Sequence, residues 1–441
     1  MKNKVYIETL GCPKNYNDSE YALGILEEEG YEQVLSPEDA DFLIVNTCGF
    51  IGDAKQESID KIFEMDRLKK TGAHLLISGC LAQRYGEELY SELPEAQAII
   101  GVDAYSRLPE IMKEMERGER TLHTEPCDLS YLEKPIRKHP DNPYSATIKI
   151  AEGCNNRCAY CVIPYIRGDY RSKKMEDIIS EAEELRDAGC KELILIAQDT
   201  GYYGKDIYGE LKLPELLKKL CIIDGLSWIR IMYCYDEWIT DELIDVMASE
   251  EKIVHYLDIP IQHGSDKVLK EMRRRSTRSS IEKVIAKLRK AMPDIAIRTS
   301  LIVGFPGETE EDFEELLDMV ENVKFNRLGT FQYSREEGTP AGERDDQIPD
   351  EIKEERYDAV MRRQVEISLD FNKALIGSLV DVIVDDMEED NVYRGRTKQD
   401  APDIDNEVVF TSMNHLQPGD IVKVRVEDAF DYDLVGRQEE F

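Results

Sequence analysis

No segment of this 441-residue chain approaches the roughly 20 consecutive apolar residues that cross a membrane as a helix. Met1–Leu10 also lacks the long apolar stretch of a secretion signal. Both absences point to a soluble, cytoplasmic protein with no membrane attachment. Internal repeats and low-complexity tracts are missing, which sets repeat arrays aside. Positive charge is in deficit: 56 Lys and Arg face 91 Asp and Glu, a net −35. Phosphate backbones are bound chiefly through Lys and Arg, so nucleic acid is disfavoured as the main partner, a local basic groove excepted. A basic partner fits better, although acidity also serves plain solubility. Cysteine is sparse as well, ten residues in all. In a reducing compartment, sparse and grouped cysteines read as metal ligands or catalytic groups more readily than as a disulfide framework.

What the chain does have is a series of short hydrophobic runs that lead straight to cysteines. Lys4–Leu10, Asp41–Thr47 and His74–Gly79 lead to Cys12, Cys48 and Cys80, and Ser145–Ala151 leads to Cys154. The last belongs to Cys154-Asn-Asn-Arg-Cys158-Ala-Tyr-Cys161, a CxxxCxxC spacing that folds three thiolates around one side of a compact metal cluster. Three thiolates can hold three irons of a [4Fe–4S] cube and leave the fourth iron open to a small molecule. A structural zinc site instead closes its tetrahedron with four ligands, and no fourth Cys or His lies close by in sequence. Cys127, Cys190, Cys221 and Cys234 lack partners at ligand spacing and read as packing residues.

The length allows two to four domains. From Lys4 to about Thr124, strand-like runs alternate with helical stretches at Asp18–Gly30, Asp53–Lys70 and Gln83–Leu93, which implies a parallel-sheet α/β domain over 1–125. Strand ends of such a sheet share one edge, so Cys12, Cys48 and Cys80 are expected to meet despite their separation. Pro126, Pro135, Pro140 and Pro143 mark a linker over 126–143. A second series follows over 144–373, with strands at Ser145–Ala151, Glu192–Ala197, Trp228–Met232, His255–Pro260, Ile295–Val303 and Arg327–Tyr333. The helices between them include Met175–Ala188, Pro214–Ile222, Asp241–Ala248, Ser279–Ala291 and Glu310–Val323. Six βα units fit an open or complete barrel with its chemistry at the C-terminal strand ends, where Cys154 falls. Pro349–Lys373 reads as a long charged helix. Over 374–441 the pattern turns to short strands, Leu379–Val384, Val392–Gly395, Glu407–Thr411 and Ile421–Ala429, forming a small antiparallel, OB-like barrel. Six Lys and Arg against 17 Asp and Glu make residues 375–441 acidic.

Cys154–Cys161 at a barrel's first strand end, with Tyr160 before the last cysteine, resembles the radical-SAM superfamily. Gly11-Cys12-Pro13-Lys14-Asn15 with Asp18-Ser19-Glu20, Asn46-Thr47-Cys48, Ser78-Gly79-Cys80, Pro260-Ile261-Gln262-His263-Gly264-Ser265 and Ile302–Thr309 resemble the methylthiotransferases within it. The acidic terminal barrel looks like a TRAM domain, so the resemblance covers essentially the whole chain. The Gly-Cys-Pro-Lys-Asn entry and the acidic barrel are similar to the RimO-type branch, rather than to the MiaB-like branch that modifies tRNA adenosine and is usually more basic.

This resemblance implies two [4Fe–4S] clusters, on Cys154, Cys158 and Cys161 and on Cys12, Cys48 and Cys80, together with S-adenosylmethionine (SAM). It implies an electron from an unidentified reductant, and methylthiolation of the β-carbon of an aspartate in the basic small-subunit ribosomal protein twelve. Tyr160, Gln198, Asp199, Gln262, Arg298 and Val303 are expected to border SAM, with ordinary loop polarity, or barrel core for Val303, as the alternative. His263 reads as a loop residue. Arg273–Arg275 and Arg278 form a compact basic cluster, either a solvated helix end or a contact for ribosomal RNA. Modification of tRNA adenosine, and a non-catalytic iron–sulfur module that docks on ribosomes, are the rival readings.

Overall fold

The hydrophobic runs become parallel strands. The computed structural model describes residues 3–125, 137–138 and 143–439. Most of the expected linker, with Cys127, lies outside the described residues. In the first sheet, β1 (Lys4–Thr9), β2 (Glu32–Gln33), β3 (Phe42–Thr47), β4 (His74–Gly79), β5 (Ala98–Ile100) and β6 (Thr121–His123) run in the order β2-β1-β3-β4-β5-β6, all parallel. β3 is buried along its whole length, as a strand covered on both faces must be. On one face Val5, Ile44 and Leu76 pack with Tyr21, Leu26 and Ile111; on the other Val45 and Ile77 pack with Ile62, Met65 and Leu89.

Two helices begin earlier than their periodicity suggests. The first spans Pro13–Glu28 and the third Cys80–Glu92, so Cys12 caps one helix and Cys80 opens another. Proline at the first helical position, with φ preset and no amide to lose, starts the first helix directly after the cysteine. The Cys12 carbonyl accepts from the amides of Asn15 (2.8 Å) and Tyr16 (3.3 Å).

The second sheet is an open six-stranded parallel barrel. It contains β7 (Ser145–Lys149), β10 (Glu192–Ile196), β11 (Trp228–Ile231), β12 (Ile253–Asp258), β13 (Ala296–Val303) and β14 (Arg327–Gln332), ordered β14-β13-β12-β11-β10-β7. A small ribbon of β8 (Ala151–Glu152) and β9 (Arg171–Ser172) brackets the cysteine loop. Thr309 caps helix Glu310–Val323 in a capping box with Asp312.

A long helix, Asp350–Ala374, leads to a closed barrel of β15 (Leu379–Glu389), β16 (Val392–Thr397), β17 (Val408–Thr411), β18 (Ile421–Ala429) and β19 (Leu434–Gln438). Sequence reasoning missed β19, a short polar strand containing Gly436. It also expected an antiparallel barrel, whereas β17 and β19 pair in parallel and the other four ladders are antiparallel. This barrel closes the N-terminal end of the open one. Ile383 and Ala401 join Ile194, Trp228, Tyr256 and Ala296 on the face away from the helices. Glu192, fully buried, pairs with Arg230 and with Arg396, each at 2.8 Å.

Candidate active site

The C-terminal ends of both parallel sheets face each other, and the cysteines lie between them. Cys154 and Cys158 are buried and Cys161 is partly exposed. Their loop is fastened on both sides: Ala159 donates its amide to the Met272 carbonyl and accepts from Ala341, each at 2.9 Å, and Cys154 donates to Gly168 at 3.1 Å. A Cβ on Gly153, at φ +79°, would lie 2.2 Å from the Asp169 carbonyl oxygen, so the close approach requires glycine.

Cys12, Cys48 and Cys80 meet at the ends of the adjacent strands β1, β3 and β4. Asn15 ties these ends together. Its amide donates to the carbonyls of Leu10 (2.8 Å) and Thr47 (3.1 Å), and its Oδ1 lies 3.7 Å from Cys80 Sγ. A Cβ on Gly79, at φ +93°, would sit 2.4 Å from Asn46 Oδ1. Burial pushes the Cys48 thiol up to about 11 and the Cys154 thiol up to about 12, and raises those of Cys80 and Cys161. Iron would displace these protons on binding. Among the described residues, no group of three or more His, Cys, Asp or Glu is arranged to hold a single metal ion. A cube spreads its ligands over several irons and suits the wider spacing.

Arg167, six residues beyond Cys161, reaches the first triad. Its guanidinium reaches Cys80 Sγ (3.5 Å), Asn15 Oδ1 (2.8 Å), Asp18 (3.0 Å) and Glu152 (3.0 Å). Lys149 completes the cluster by pairing with Asp18 and, at 2.7 Å, with Glu152. Burial alone would raise the Glu152 carboxyl, but Arg167 and Lys149 hold it well below the usual range. Cys80 also packs with Val162 and Ile166, which follow the second triad. None of Asp18, Lys149, Glu152 or Arg167 was assigned a role from sequence, because Asp18 lies 131 and 149 residues from Lys149 and Arg167 along the chain.

The expected SAM-bordering residues divide. Gln198 donates to Glu152 at 2.7 Å, and its Oε1 is buried without a partner. Asp199 accepts from Asn156 (2.9 Å) and Trp238 (2.8 Å) on Oδ2, and its Oδ1 is likewise buried, with no partner among the described residues. Burial pushes Asp199 up to about 7, against the pull of those two hydrogen bonds. Two orphaned acceptors beside a cysteine loop fit a ligand bearing hydroxyl and ammonium donors, as SAM does. Tyr160 packs with Phe305, Tyr333 and Ala341. Gln262 takes φ +72° and bridges to β13. Arg157, Tyr233 and Arg273 share its left-handed backbone, a strain gathered in the loops at this end of the barrel. The Val303 side chain is fully buried in the sheet–helix core, so only its backbone can face a ligand. Arg298 sits deeper, paired with Asp258 (3.1 Å) and with Asp405 of the terminal barrel (3.3 Å).

The arginine cluster departs from a solvated helix end. Arg274 is 7% exposed and stacks on Tyr235 at 4.1 Å, two residues after Met272, whose carbonyl anchors the cysteine loop. His263 is buried, its Nδ1 accepting from the Ser265 amide at 3.0 Å, which fits a loop role.

Comparison with known proteins gives three family matches: the radical SAM superfamily over residues 148–320, uncharacterized protein family UPF0004 over 4–101, and the TRAM domain over 376–438. Curated relatives named ribosomal protein uS12 methylthiotransferase RimO match nearly end to end. The one from Clostridioides difficile (strain 630) is 48% identical, covering 98% of each chain. The one from Desulforamulus reducens is 49% identical, covering 97% of this chain and 98% of its own. Among solved structures, the radical SAM methyltransferase TsrM from Kitasatospora setae aligns with a TM-score of 0.59 at 15% identity, over 78% of this chain and 77% of its own. The cobalamin-dependent radical enzyme OxsB aligns with a TM-score of 0.53 at 12% identity, over 83% and 56%. These two share the fold.

Proposed function

This chain belongs to the RimO family of radical-SAM methylthiotransferases, and from that premise we propose that it methylthiolates the β-carbon of an aspartate in small-subunit ribosomal protein uS12. The observation that carries the reading is the match, at about half identity and nearly full length, to relatives named for uS12 methylthiolation, together with two thiol triads, one of which Arg167 reaches from just beyond the other. As a radical-SAM enzyme it uses an iron–sulfur cluster and SAM. We propose two [4Fe–4S] clusters, one on Cys154, Cys158 and Cys161 and an auxiliary one on Cys12, Cys48 and Cys80. When bound, the first cluster would supply one-electron chemistry to SAM, and the auxiliary one would carry sulfur for transfer.

The chain's own residues orient and enclose these groups. Gln198 and Asp199 offer buried acceptors to SAM. Arg167, itself buried, donates toward Cys80, which stabilises thiolate charge at low local dielectric. The acidic terminal barrel complements a basic ribosomal protein. An RNA contact through the arginine cluster has less support. Arg274 is buried, Arg275 and Arg278 face acidic partners, and Arg273 alone of the four has none among the described residues.

Mass spectrometry of uS12 and tRNA from a strain lacking this gene tests the substrate. Loss of the methylthio group from the uS12 aspartate, restored by complementation, is expected. Loss from tRNA with uS12 unchanged assigns the enzyme to adenosine instead.

A further inference from the structure

Lys14 is 8% exposed, yet among the described residues no carboxylate lies within ion-pair distance of its ammonium. Its ammonium rests on the face of Tyr233, with Nζ 3.4 Å from the ring centroid. An ammonium has three donors and a ring face satisfies at most one. The neighbouring acids are committed elsewhere: Asp258 to Arg298, Glu152 to Arg167, Lys149 and Gln198, and Asp18 to Lys149 and Arg167.

The position of this cation is as informative as its lack of a partner. Lys14 belongs to the first unit, two residues beyond Cys12, but it reaches across to Tyr233 in the loop after β11. Tyr233 holds a left-handed backbone at φ +57°, fixed by its amide donating to Asp258 (3.2 Å) and its carbonyl accepting from Thr200 (3.0 Å). The ring is thus held in place, and the ammonium rests above it two residues along the chain from Cys12.

We propose that Lys14 binds the side-chain carboxylate of the substrate aspartate. The inference rests on the uS12 reading. In aspartate the β-carbon is bonded directly to the carboxylate carbon, so fixing one places the other. A carboxylate held beside Cys12 presents that carbon on the side of the auxiliary triad, where the carbon–sulfur bond is to form. Lys14 is a positioning and specificity residue that tells a carboxylate from a neutral group. The methionine carboxylate of SAM is the other anion that could reach this site.

The test compares anaerobically prepared, cluster-loaded wild type, Lys14→Met and Lys14→Arg. Affinities are measured for purified uS12 bearing the target aspartate, for uS12 with asparagine in its place, and separately for SAM. Wild type should prefer aspartate by about thirtyfold or more, the low end of the effect of removing one partner of a buried charge pair. Lys14→Met should bring that ratio to near one, and Lys14→Arg should keep most of it, with iron content equal to wild type in both. Lys14→Met retaining the wild-type ratio overturns the proposal, as does a loss of SAM affinity with the ratio intact. Equal loss of the ratio in a fully loaded Lys14→Arg overturns the charge argument. Wild type that neither binds nor modifies uS12 removes the functional reading and this inference together, whereas wild type that modifies uS12 without discriminating asparagine removes only the inference.

Discussion

Asp199 is buried, keeps one carboxylate oxygen without a partner, and is pushed up to about 7 by that burial. In the unfolded chain the same group ionises near 4. The stability that a neutral Asp199 contributes is therefore complete below about 4 and is lost as pH rises through about 7. Asp199→Asn keeps a neutral side chain at every pH. In SAM-free protein, the stability of the variant relative to wild type should grow from pH 5 to pH 8, on the order of 4 kcal/mol at its limit, as read by thermal or chemical unfolding. SAM affinity should fall in the same variant. A stability difference that stays flat across this range rejects the raised carboxyl. Asp199 was legible in the sequence as a residue at a strand end. Its orphaned Oδ1 was not, because Asn156 and Trp238, from two other loops, both donate to Oδ2 and leave Oδ1 aside.

At the scale of elements, cysteines on three adjacent parallel strand ends converge without any sequence motif linking them. Gly11 and Gly79 take φ +91° and +93°, turning the chain sharply beside β1 and β4. Alternation of strand and helix was enough to foresee this convergence, since a parallel sheet has only one C-terminal edge. The helix starts were harder to see. Cys12 and Cys80 sit at helix N-termini, whose positive end favours thiolates, but Pro13 and Cys80 fall outside the apolar period that marks a helix. Because the two triads hang on separate sheets, replacing Cys12, Cys48 and Cys80 together by alanine should leave the other site loaded. Iron and sulfide assays on anaerobically purified protein should fall from about eight of each to about four per chain, on a count of four per cube. A fall to zero, or no change, contradicts independent clusters.

The whole molecule is held by ion pairs that cross between units. Lys55 and Arg84 of the first unit meet Glu336 of the second at 2.8 and 2.6 Å, and Arg327 of the second meets Asp400 of the third at 2.6 Å. Glu192 is the most deeply placed of these acids. Burial alone would raise it, yet Arg396 and Arg230 draw it down to about 2. Its contribution is present above the unfolded value near 4.5 and is lost as pH falls toward 2. Glu192→Gln leaves two buried arginines without a counter-charge, so a loss of about 3 kcal/mol or more is expected at neutral pH. Chemical denaturation should show that loss steady from pH 8 to pH 5 and shrinking below about 4.5. A gap that grows on acidification contradicts the assignment. The cost should fall on the seating of the terminal barrel, since Arg396 belongs to β16.

The sequence by itself determined the alternation of strand and helix, the parallel order of the first two sheets, and the close spacing of Cys154, Cys158 and Cys161. Those features follow from local periodicity and from spacing along one stretch of chain, and the convergence of Cys12, Cys48 and Cys80 follows from the single C-terminal edge of a parallel sheet. Only the tertiary structure decided that Arg167 touches Cys80, that Arg274 is buried rather than solvated, that Arg298 turns toward the terminal barrel, and that Lys14 rests on the Tyr233 ring. Each of these depends on which side chains from distant segments share one buried volume. Buried charge is governed by its immediate neighbours, and no run of residues records who those neighbours are.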